Sequence, residues 1–335
     1  MSSTLQNKTL KTTSSLSQLR MERNLALDFV RVTEAAAMSA ARWVGKGDKH
    51  KADEAAVSMM RHTFNKFKIN GTIVIGEGER DEAPMLFIGE KLGHGEDMDI
   101  AVDPLECTNS VAFGRPNSMT VLAASPRGTM LHAPDTYMEK IAVPKHARKK
   151  ISIEEDVKYN IEALSHALGK KAKDLTIMVL DRDRHEKLIK DIRACDARIM
   201  LISDGDVAGA IAPSIEGSDI DALMGIGAAP EGVLAASALS CLGGYMETKF
   251  KFRNEDDRKR GIKMGVDPDK VYLVEDLVDK DRAMFAATGV TTGPFLKGVS
   301  FTKEGAITHS IVMRSKTKTL RFIESHHKFT DEPDY

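Results

Sequence analysis

The sequence predicts an α/β protein with two lobes. Its 335 residues exceed one typical domain, and 42% of them are hydrophobic, an ordinary composition for a globular protein. Over residues 151–243, apolar strand-like runs alternate with amphipathic helix patterns, which is typical of parallel strands covered by helices. We therefore expect an N-terminal α+β lobe over 23–150, an α/β lobe over 151–243, and a C-terminal segment over 244–335 that returns toward the first lobe.

Residues 1–22 are predicted to form a disordered tail. The first 21 residues are rich in Ser and Thr and contain no acidic residue. A targeting segment is the alternative, but the arginine-rich amphipathic pattern of a transit peptide is missing. The three cysteines, Cys107, Cys195 and Cys241, fit no zinc or disulfide spacing, and their odd number favours a reducing compartment. We therefore predict a cytoplasmic protein.

The overall charge argues against two classes of partner. A formal net charge of −1 provides no field that would attract nucleic acid or a membrane surface. No apolar run approaches the roughly 18 residues that a membrane span requires. The sequence therefore predicts neither partner, and any basic site must be a local cluster.

The first lobe is predicted to begin with two helices and to continue with three strands. Apolar residues recur at helical spacing over 24–45 and 52–67. Short apolar runs predict strands over 71–79, 98–104 and 118–125. We expect Pro104 to end the second strand, because proline cannot donate a ladder hydrogen bond.

The second lobe is predicted to alternate helices with strands. The predicted helices cover 153–168, 185–195, 206–213 and 231–242. The predicted strands cover 175–180, 197–203 and 221–227. In the last segment, short strands are predicted over 271–277, 284–288, 306–313 and 318–325, and the charges of residues 243–266 predict an exposed helix.

Acidic residues stand at abrupt ends of apolar segments in four places. They are Asp48 and Asp53 by the second helix, Glu77, Glu79, Asp81 and Glu82 after the first strand, Asp103 and Glu106 after the second strand, and Glu231 at the start of a helix. If these side chains converge, they repel one another unless a cation neutralises them. Oxygen ligands suit Mg²⁺ or Mn²⁺ rather than zinc. For any single acid, a solvated loop or a helix-dipole partner is the alternative.

Two segments of the second lobe carry side chains suited to a phosphorylated sugar. Arg182 and Arg184 follow a predicted strand directly, and alternate residues of an extended segment face the same way, so both can hold one phosphate. Asp204 and Asp206 flank Gly205 at a strand-to-helix turn, where open α/β sheets bind ligands. The alternatives are a solvated loop for the arginines and a helix N-cap for Asp206.

Six motifs together resemble the class II fructose-1,6-bisphosphatases. In chain order they are GKGDKHKAD, IVIGEGERDEAPML, DIAVDPLECTN, APDTYMEK, DGDVA and GIGAAPEGV, and the similarity extends from about Arg23 to His327. The DPLE portion also belongs to the wider superfamily of lithium-sensitive, metal-dependent sugar phosphatases. The segments LDRDRH and LISDGDV are especially similar to members that also accept sedoheptulose 1,7-bisphosphate.

The resemblance implies a fold, an activity and a cofactor. The implied fold is a layered αβαβα sandwich of the sugar phosphatase type, with metal binding in the first lobe and substrate binding in the second. The implied reaction is hydrolysis of the 1-phosphate of fructose 1,6-bisphosphate by metal-activated water, in gluconeogenesis or the Calvin cycle. Mn²⁺ or Mg²⁺ is the implied cofactor, and a homodimer or homotetramer is the implied assembly.

The resemblance also implies roles for the residues at the matching positions. The implied metal ligands are Asp53, Glu77, Asp103, Glu106 and Glu231. The implied catalytic residues are Asp81, which the family needs for activity, and Thr108, whose hydroxyl helps to orient the attacking water. The implied substrate contacts are Lys49, Glu106, Cys107, Thr108, Tyr137, Arg182, Asp183, Arg184, Asp204, Gly205, Asp206 and Ala228.

Cys107 departs from the family pattern, which has glycine at this position. A side chain there crowds a phosphate, and a positive φ would cost about 1–3 kcal/mol. Three interpretations follow: a tolerated natural variant, an altered chain with reduced turnover, or a protein that binds sugar bisphosphates without hydrolysing them. We expect reduced but real activity, because every matched metal ligand is retained.

Two functions compete with a sugar bisphosphatase. One is a related sugar or inositol monophosphatase, but a monoester has no second phosphate for Arg182 and Arg184 to hold. The other is a weakly active or non-catalytic sugar-bisphosphate binder, and only Cys107 supports it.

Overall fold

The computed structural model describes residues 25–67, 69–78 and 85–329. Within these ranges, nine α-helices and two mixed β-sheets are stacked in layers. This arrangement confirms the predicted α/β class and is consistent with a layered sandwich. The tail predicted over 1–22 lies outside the described residues.

The helices and strands follow one another along the whole chain. The helices are α1 (25–41), α2 (Lys49–Phe64), α3 (Thr108–Phe113), α4 (Val157–Leu168), α5 (Glu186–Ala194), α6 (Asp206–Ile211), α7 (Ala229–Leu242), α8 (Glu255–Lys263) and α9 (Val274–Leu277). The strands are β1 (Ile69–Ile75), β2 (Lys91–Leu92), β3 (Glu96–Glu106), β4 (Met119–Pro126), β5 (Tyr137–Val143), β6 (Thr176–Leu180), β7 (Arg198–Ile202), β8 (Ala222–Ala228), β9 (Tyr245–Lys251), β10 (Tyr272–Leu273), β11 (Met284–Gly289), β12 (Ser300–Phe301), β13 (Gly305–Arg314) and β14 (Thr319–Lys328).

The first sheet contains eight of the described strands. Their order is β14, β13, β11, β4, β3, β1 and β2, with β12 pairing the early part of β13. The pair β1–β3 is parallel, whereas β3–β4, β4–β11 and β11–β13 are antiparallel. Helices α1 and α2 pack on one face, where Phe29, Phe64 and Ile100 belong to one buried apolar cluster. The parallel pair matters for the site, because the carboxyl ends of β1 and β3 lie at the same edge.

The second sheet has the strand order β10, β9, β5, β8, β6, β7. Strand β6 pairs in parallel with β7 and β8, as the alternation of residues 151–243 predicts. Strand β5 pairs antiparallel with both β8 and β9, so the sheet is mixed. Helices α4 and α5 cover its outer face, where Leu164 and Ile192 pack against Ile177 of β6.

Helix α7 lies between the two sheets and is apolar on nearly all sides. Its Val233 and Leu239 share one buried cluster with Val121 of the first sheet and Met138 of the second. A helix buried on all sides has no polar face to show in its pattern. Its small residues, many of them Ala and Ser, allow both sheets to approach closely. The start of α7 therefore lies between the sheets, close to the ends of their strands.

Pro104 does not end β3, contrary to the prediction. The strand continues to Glu106 through a register shift between Asp103 and Glu106. Proline is tolerated at such an irregularity, where the ladder hydrogen bond is already interrupted. The backbone N–H of Leu105 instead donates to the Asp103 carboxylate at 3.2 Å. The bulge therefore turns the strand end toward the site.

Two other local predictions are wrong. Residues 271–277 form the short strand β10 followed by helix α9, rather than one strand. Residues 243–266 form strand β9 and then helix α8, rather than a helix throughout. Strand β5 is a further element that the sequence patterns did not predict.

Sheet membership crosses the predicted segment limits. Strand β5 belongs to the second sheet although it lies within 23–150, and β9 and β10 belong to the same sheet although they lie within 244–335. Strands β11 to β14 complete the first sheet. The predicted division of the chain stays a prediction, because sharing a sheet does not define an independently folding unit.

Candidate active site

Acidic side chains from distant parts of the chain meet at one edge of the first sheet. The parallel register pairs Ile75 of β1 with Ala101 of β3, so the two strands end side by side. Glu77 follows β1, and Asp103 lies near the end of β3. Helix α2 packs on β3 and carries Asp53 close enough to repel both side chains. The fold thus gathers three charges that lie far apart in sequence.

These carboxyl groups raise one another's pKa. Burial, together with repulsion from Asp53, raises the pKa of Glu77 to about 8. Burial, followed by repulsion from Glu77 and Asp53, raises the pKa of Asp103 to about 8. Burial also raises the pKa of Asp53. In each case the charged form is disfavoured until a positive charge compensates it.

Glu106 has one oxygen satisfied and the other unsatisfied. Its side chain is 3% exposed, and Oε1 accepts a hydrogen bond from the backbone N–H of Val207 at 2.8 Å. The buried Oε2 has no hydrogen-bond partner within the described ranges. Burial, and then repulsion from Asp103 and Glu231, raises the pKa of Glu106 well above its ordinary value. A buried oxygen of this kind needs a ligand to compensate its desolvation.

Glu231 approaches the same space from the second sheet. It lies in the first turn of α7, and its Oε2 accepts a hydrogen bond from the backbone N–H of Ala228 at 3.3 Å. Burial and repulsion from Asp206 raise the pKa of Glu231 to about 8. Asp103 also contributes to this repulsion. We call Asp53, Glu77, Asp103, Glu106 and Glu231 the acidic cluster.

The residues of the acidic cluster fit divalent cations. In the described parts of the chain, no three His, Cys, Asp or Glu side chains already form an arrangement that encloses a metal ion. Mutual repulsion gives a physical reason for this looseness, since close carboxylates need a cation between them. The unsatisfied Oε2 of Glu106 and the oxygen-only donor set suit Mg²⁺ or Mn²⁺.

Arg184 is fixed at the mouth of the second sheet. Its guanidinium donates to the carbonyl oxygen of Ile226 through Nε at 3.0 Å and through Nη2 at 2.7 Å. The same group lies over the ring of Tyr137, 4.9 Å from its centroid. Residues 183–185 form a 3₁₀ turn rather than the extended segment assumed from the sequence. Arg184 is nonetheless held beside Tyr137, on the side of the sheet that carries Ala228.

His185 ties this turn to the neighbouring strand. Its ring is buried, with Nδ1 2.7 Å from the carbonyl oxygen of Leu180 and Nε2 2.7 Å from the backbone nitrogen of Ile226. Because the N–H of Ile226 can only donate, the ring is assigned as the neutral tautomer with its proton on Nδ1. Burial lowers the pKa of His185, which supports the neutral form. The histidine therefore joins the ends of β6 and β8.

The turn from Asp204 to Asp206 lies between the arginines and the acidic cluster. Asp204 faces Arg182, whose Nη2 lies 3.7 Å from its Oδ1. Gly205 has a φ of 102° and precedes the first residue of α6, a conformation that favours glycine. Asp206 does not cap this helix, contrary to the simplest alternative. Its buried carboxylate instead pairs with Lys140.

Cys107 adopts the strained conformation anticipated for this position. Its φ is 65° and its ψ is 51°, in the left-handed region that glycine tolerates best. The thiol is buried, and a β-carbon placed on Gly205 would lie 3.5 Å from its Sγ. Burial, and then repulsion from Glu106, raises the pKa of Cys107, so the thiol stays protonated. Thr108 follows as the first residue of α3.

The other predicted residues differ in how directly they face this space. Ala228 ends β8 and supplies backbone groups to two site residues. Lys49 and Asp183 are exposed at the first positions of α2 and of the 3₁₀ turn. Asp81 lies outside the described residues, as do Glu79 and Glu82. Asp48 caps α2 by accepting from the N–H of Lys51, so it stands apart from the acidic cluster.

Two cavities adjoin the site. A cavity of about 280 Å³ is lined by Glu77, Asp103, Glu231 and Arg260. A larger cavity of about 420 Å³ reaches Asp204 and Gly205 from another side, but its walls are mostly apolar. None of the described residues that line it is a lysine, arginine or histidine, so it offers no positive charge to a phosphate. Chemistry therefore favours the smaller cavity.

Lys140 and Arg260 are site residues that the sequence reasoning missed. Lys140 belongs to β5, a strand that was not predicted, and a lysine in the middle of the run YMEKIAV was the available signal. Arg260 belongs to α8 and lines the smaller cavity, while its Nη2 donates to the carbonyl oxygen of Asp135 at 3.0 Å. Its segment was interpreted as an exposed charged helix, which hid this position.

The layered fold and the acidic cluster beside fixed arginines are typical of a metal-dependent hydrolase of phosphate esters. The chain matches, over residues 23–327, the family described as bacterial fructose-1,6-bisphosphatase, glpX-encoded. It belongs to this family, the class II fructose-1,6-bisphosphatases.

Curated relatives agree with this assignment. The chain is 44% identical to the D-fructose 1,6-bisphosphatase class 2/sedoheptulose 1,7-bisphosphatase of Trichodesmium erythraeum, over 92% of this chain and 97% of the relative. It is also 44% identical to the protein of the same name from Thermosynechococcus vestitus, over 93% of this chain and 98% of the relative. A third such relative, from Microcystis aeruginosa, is 43% identical.

The described residues were also searched for membrane spans. No helix within them combines the length and the apolar character needed to cross a bilayer. The cytoplasmic location stays a prediction.

Proposed function

We propose that this protein hydrolyses the 1-phosphate of fructose 1,6-bisphosphate to give fructose 6-phosphate and inorganic phosphate. The membership in the class II family and the names of the relatives support this reaction. We include the 1-phosphate of sedoheptulose 1,7-bisphosphate as a second substrate, because the relatives carry both names. Mn²⁺ or Mg²⁺ is the proposed cofactor, with manganese as the first to test.

The observation that carries the proposal is the acidic cluster. Its side chains come from α2, from the ends of β1 and β3, and from α7, and yet they raise one another's pKa. Such crowding is unfavourable for the fold alone, so it needs a functional reason. Holding divalent cations for a phosphate ester is the reason that fits the oxygen-only donor set.

The acidic cluster and its neighbours have separate proposed roles. Asp53, Glu77, Asp103, Glu106 and Glu231 hold the cations. When bound, these ions lower the pKa of water and neutralise charge on the phosphoryl oxygens. Thr108 lies beside Glu106 and Cys107, where its hydroxyl can orient a water for in-line attack. Asp81 is proposed as a second catalytic residue on the loop after β1, and no covalent phosphoenzyme is needed.

The distal phosphate is the proposed ligand of the arginines. Arg184 is oriented by Ile226 and stacked on Tyr137, so little freedom is lost when it binds an anion. Arg182 faces Asp204, and a phosphate competes for that guanidinium. The sugar lies between the two ends, where Asp204 and Asp206 accept hydrogen bonds from its hydroxyls. Lys49, Asp183 and the backbone of Gly205 and Ala228 complete the proposed contacts.

Phosphate release tests the proposal directly. Purified protein is assayed with fructose 1,6-bisphosphate and with sedoheptulose 1,7-bisphosphate, each with Mn²⁺ or Mg²⁺, and with added Li⁺. We expect release that requires the divalent ion and is inhibited by lithium, and we expect Glu106→Gln to abolish it. Bound substrate without release under any divalent ion would favour a sugar-bisphosphate binder. Release from inositol monophosphate alone would favour a monophosphatase.

The cellular setting and the assembly are also proposals. A fructose-1,6-bisphosphatase acts in gluconeogenesis or in the Calvin cycle, and we place this enzyme in the cytoplasm. We propose a homodimer or homotetramer, with no nucleic acid or membrane partner. Sedimentation of the purified chain measures the assembly.

A further inference from the structure

Lys140 is a buried cation that contacts two of the proposed substrate-binding residues. It lies in the middle of β5, and its side chain is 1% exposed. The ammonium donates to the carboxylate of Asp206 and, at 2.7 Å, to the carbonyl oxygen of Ala228. A lysine is almost never buried without such partners.

The surrounding backbone leaves room for this pair. A β-carbon on Gly227 would lie 2.0 Å from Oδ2 of Asp206 and 2.9 Å from Nζ of Lys140. A β-carbon on Gly232 would lie 3.2 Å from Cε of Lys140. Any side chain at Gly227 would therefore displace the carboxylate or the ammonium. The strand β8 and the helix α7 both carry glycine where the pair needs space.

The two partners of Lys140 begin two different site segments. Asp206 is the first residue of α6, and the next backbone N–H, that of Val207, donates to Glu106 at 2.8 Å. Ala228 ends β8, and its own N–H donates to Glu231. One ammonium thus joins the turn that supports Glu106 to the turn that supports Glu231.

We infer that Lys140 is a positioning residue, which fixes Asp206 and the Ala228 carbonyl so that they can receive the sugar of the substrate. This inference rests on the proposed substrate contacts of those two residues. Lys140 acts through Asp206 and does not touch the reacting phosphate. Without the ammonium, the Asp206 carboxylate loses its ion-pair partner and stays buried beside Glu231, so it either rotates away or takes up a proton.

A double-mutant cycle tests this role. The variants are Lys140→Met, Asp206→Asn and the combination of both, each assayed for kcat and KM with fructose 1,6-bisphosphate. We expect Lys140→Met to raise KM at least about tenfold, because one partner of a buried charge pair is removed. In the Asp206→Asn background, the same substitution should change KM by less than about threefold, because residues that act as a unit are not additive.

A matched control separates positioning from stability. Lys170 pairs with buried Asp221 at 2.6 Å, at the opposite end of β8. Lys170→Met should lower the unfolding temperature and leave KM unchanged. If Lys140→Met is insoluble, Lys140→Gln replaces it in the cycle.

Three outcomes overturn the inference. A folded Lys140→Met enzyme with wild-type KM removes the role of Lys140 and leaves the proposed function intact. Fully additive effects of Lys140→Met and Asp206→Asn on KM show that Lys140 does not act through Asp206. If the wild-type protein itself releases no phosphate, the proposed function fails first, and this role of Lys140 fails with it.

Discussion

Replacing Cys107 by glycine should increase turnover. The perturbation removes a buried thiol between Glu106 and Thr108 and restores a residue that tolerates the φ of 65° found there. The left-handed conformation costs a residue with a β-carbon about 1–2 kcal/mol. The thiol also occupies space beside Gly205, which belongs to the proposed substrate turn.

The size of the effect follows from these terms. If the full 1–2 kcal/mol opposes the transition state, its removal raises kcat by about 5- to 30-fold. Stability should change much less. Glycine gains backbone freedom in the unfolded chain, which offsets about 0.4–1 kcal/mol of the relieved strain, and the burial of the thiol is lost.

Steady-state kinetics over a series of Mn²⁺ concentrations measures this prediction. We expect Cys107→Gly to raise kcat while the half-saturating Mn²⁺ concentration stays nearly constant. Cys107→Ala keeps a β-carbon in the left-handed region but removes the sulfur, so it separates backbone strain from crowding. Cys241→Ala is the control, because that thiol is buried in α7 and donates to the carbonyl oxygen of Ser237. Equal kcat values for wild type and Cys107→Gly would refute the reasoning.

Three further predictions concern the acidic cluster and the distal phosphate. The folded, metal-free protein holds more protons than the unfolded chain between the ordinary carboxyl pKa near 4 and about 8, because the pKa values of Glu77, Asp103 and Glu231 are raised to about 8. Its stability should therefore fall as the pH rises through this range, and the Mn²⁺-induced rise in unfolding temperature should be larger at pH 8 than at pH 6; a shift that shrinks with pH contradicts this. Glu106→Gln removes a buried carboxylate and should raise the unfolding temperature of the metal-free protein at pH 8 while lowering phosphate release at least about 100-fold, and a metal-free protein destabilised by the change would count against the cluster. Arg184→Met should raise KM for fructose 1,6-bisphosphate about 10- to 100-fold but hardly affect p-nitrophenyl phosphate, and equal losses with both substrates would exclude a contact with the distal phosphate.

Much of the fold could be predicted because its patterns are local. The alternation over 151–243 corresponds to α4, β6, α5, β7, α6, β8 and α7. The strands that the sequence did not reveal have mixed patterns. In β5, Lys140 interrupts the apolar face, because its partner Asp206 lies on another element. The bulge at Pro104 could not be predicted either, since it depends on the pairing of β3 with β4.

The acidic positions were visible in the sequence, whereas their supports were not. Asp103 and Glu77 follow apolar runs, and strand ends in such folds face a common edge. The hydrogen bond from Val207 to Glu106 joins residues 101 positions apart, and no local pattern encodes it. The same is true of Arg184 and Ile226, which are 42 positions apart.

Manganese anomalous diffraction tests the central claim most directly. Crystals grown with Mn²⁺ and inorganic phosphate, measured at the manganese absorption edge, reveal where the ions bind. We predict anomalous peaks bounded by carboxylate oxygens of Asp103, Glu106 and Glu231, with Asp53 and Glu77 drawn toward the same peaks. Fully occupied manganese elsewhere in the chain, with these five carboxylates left uncoordinated, would contradict the account.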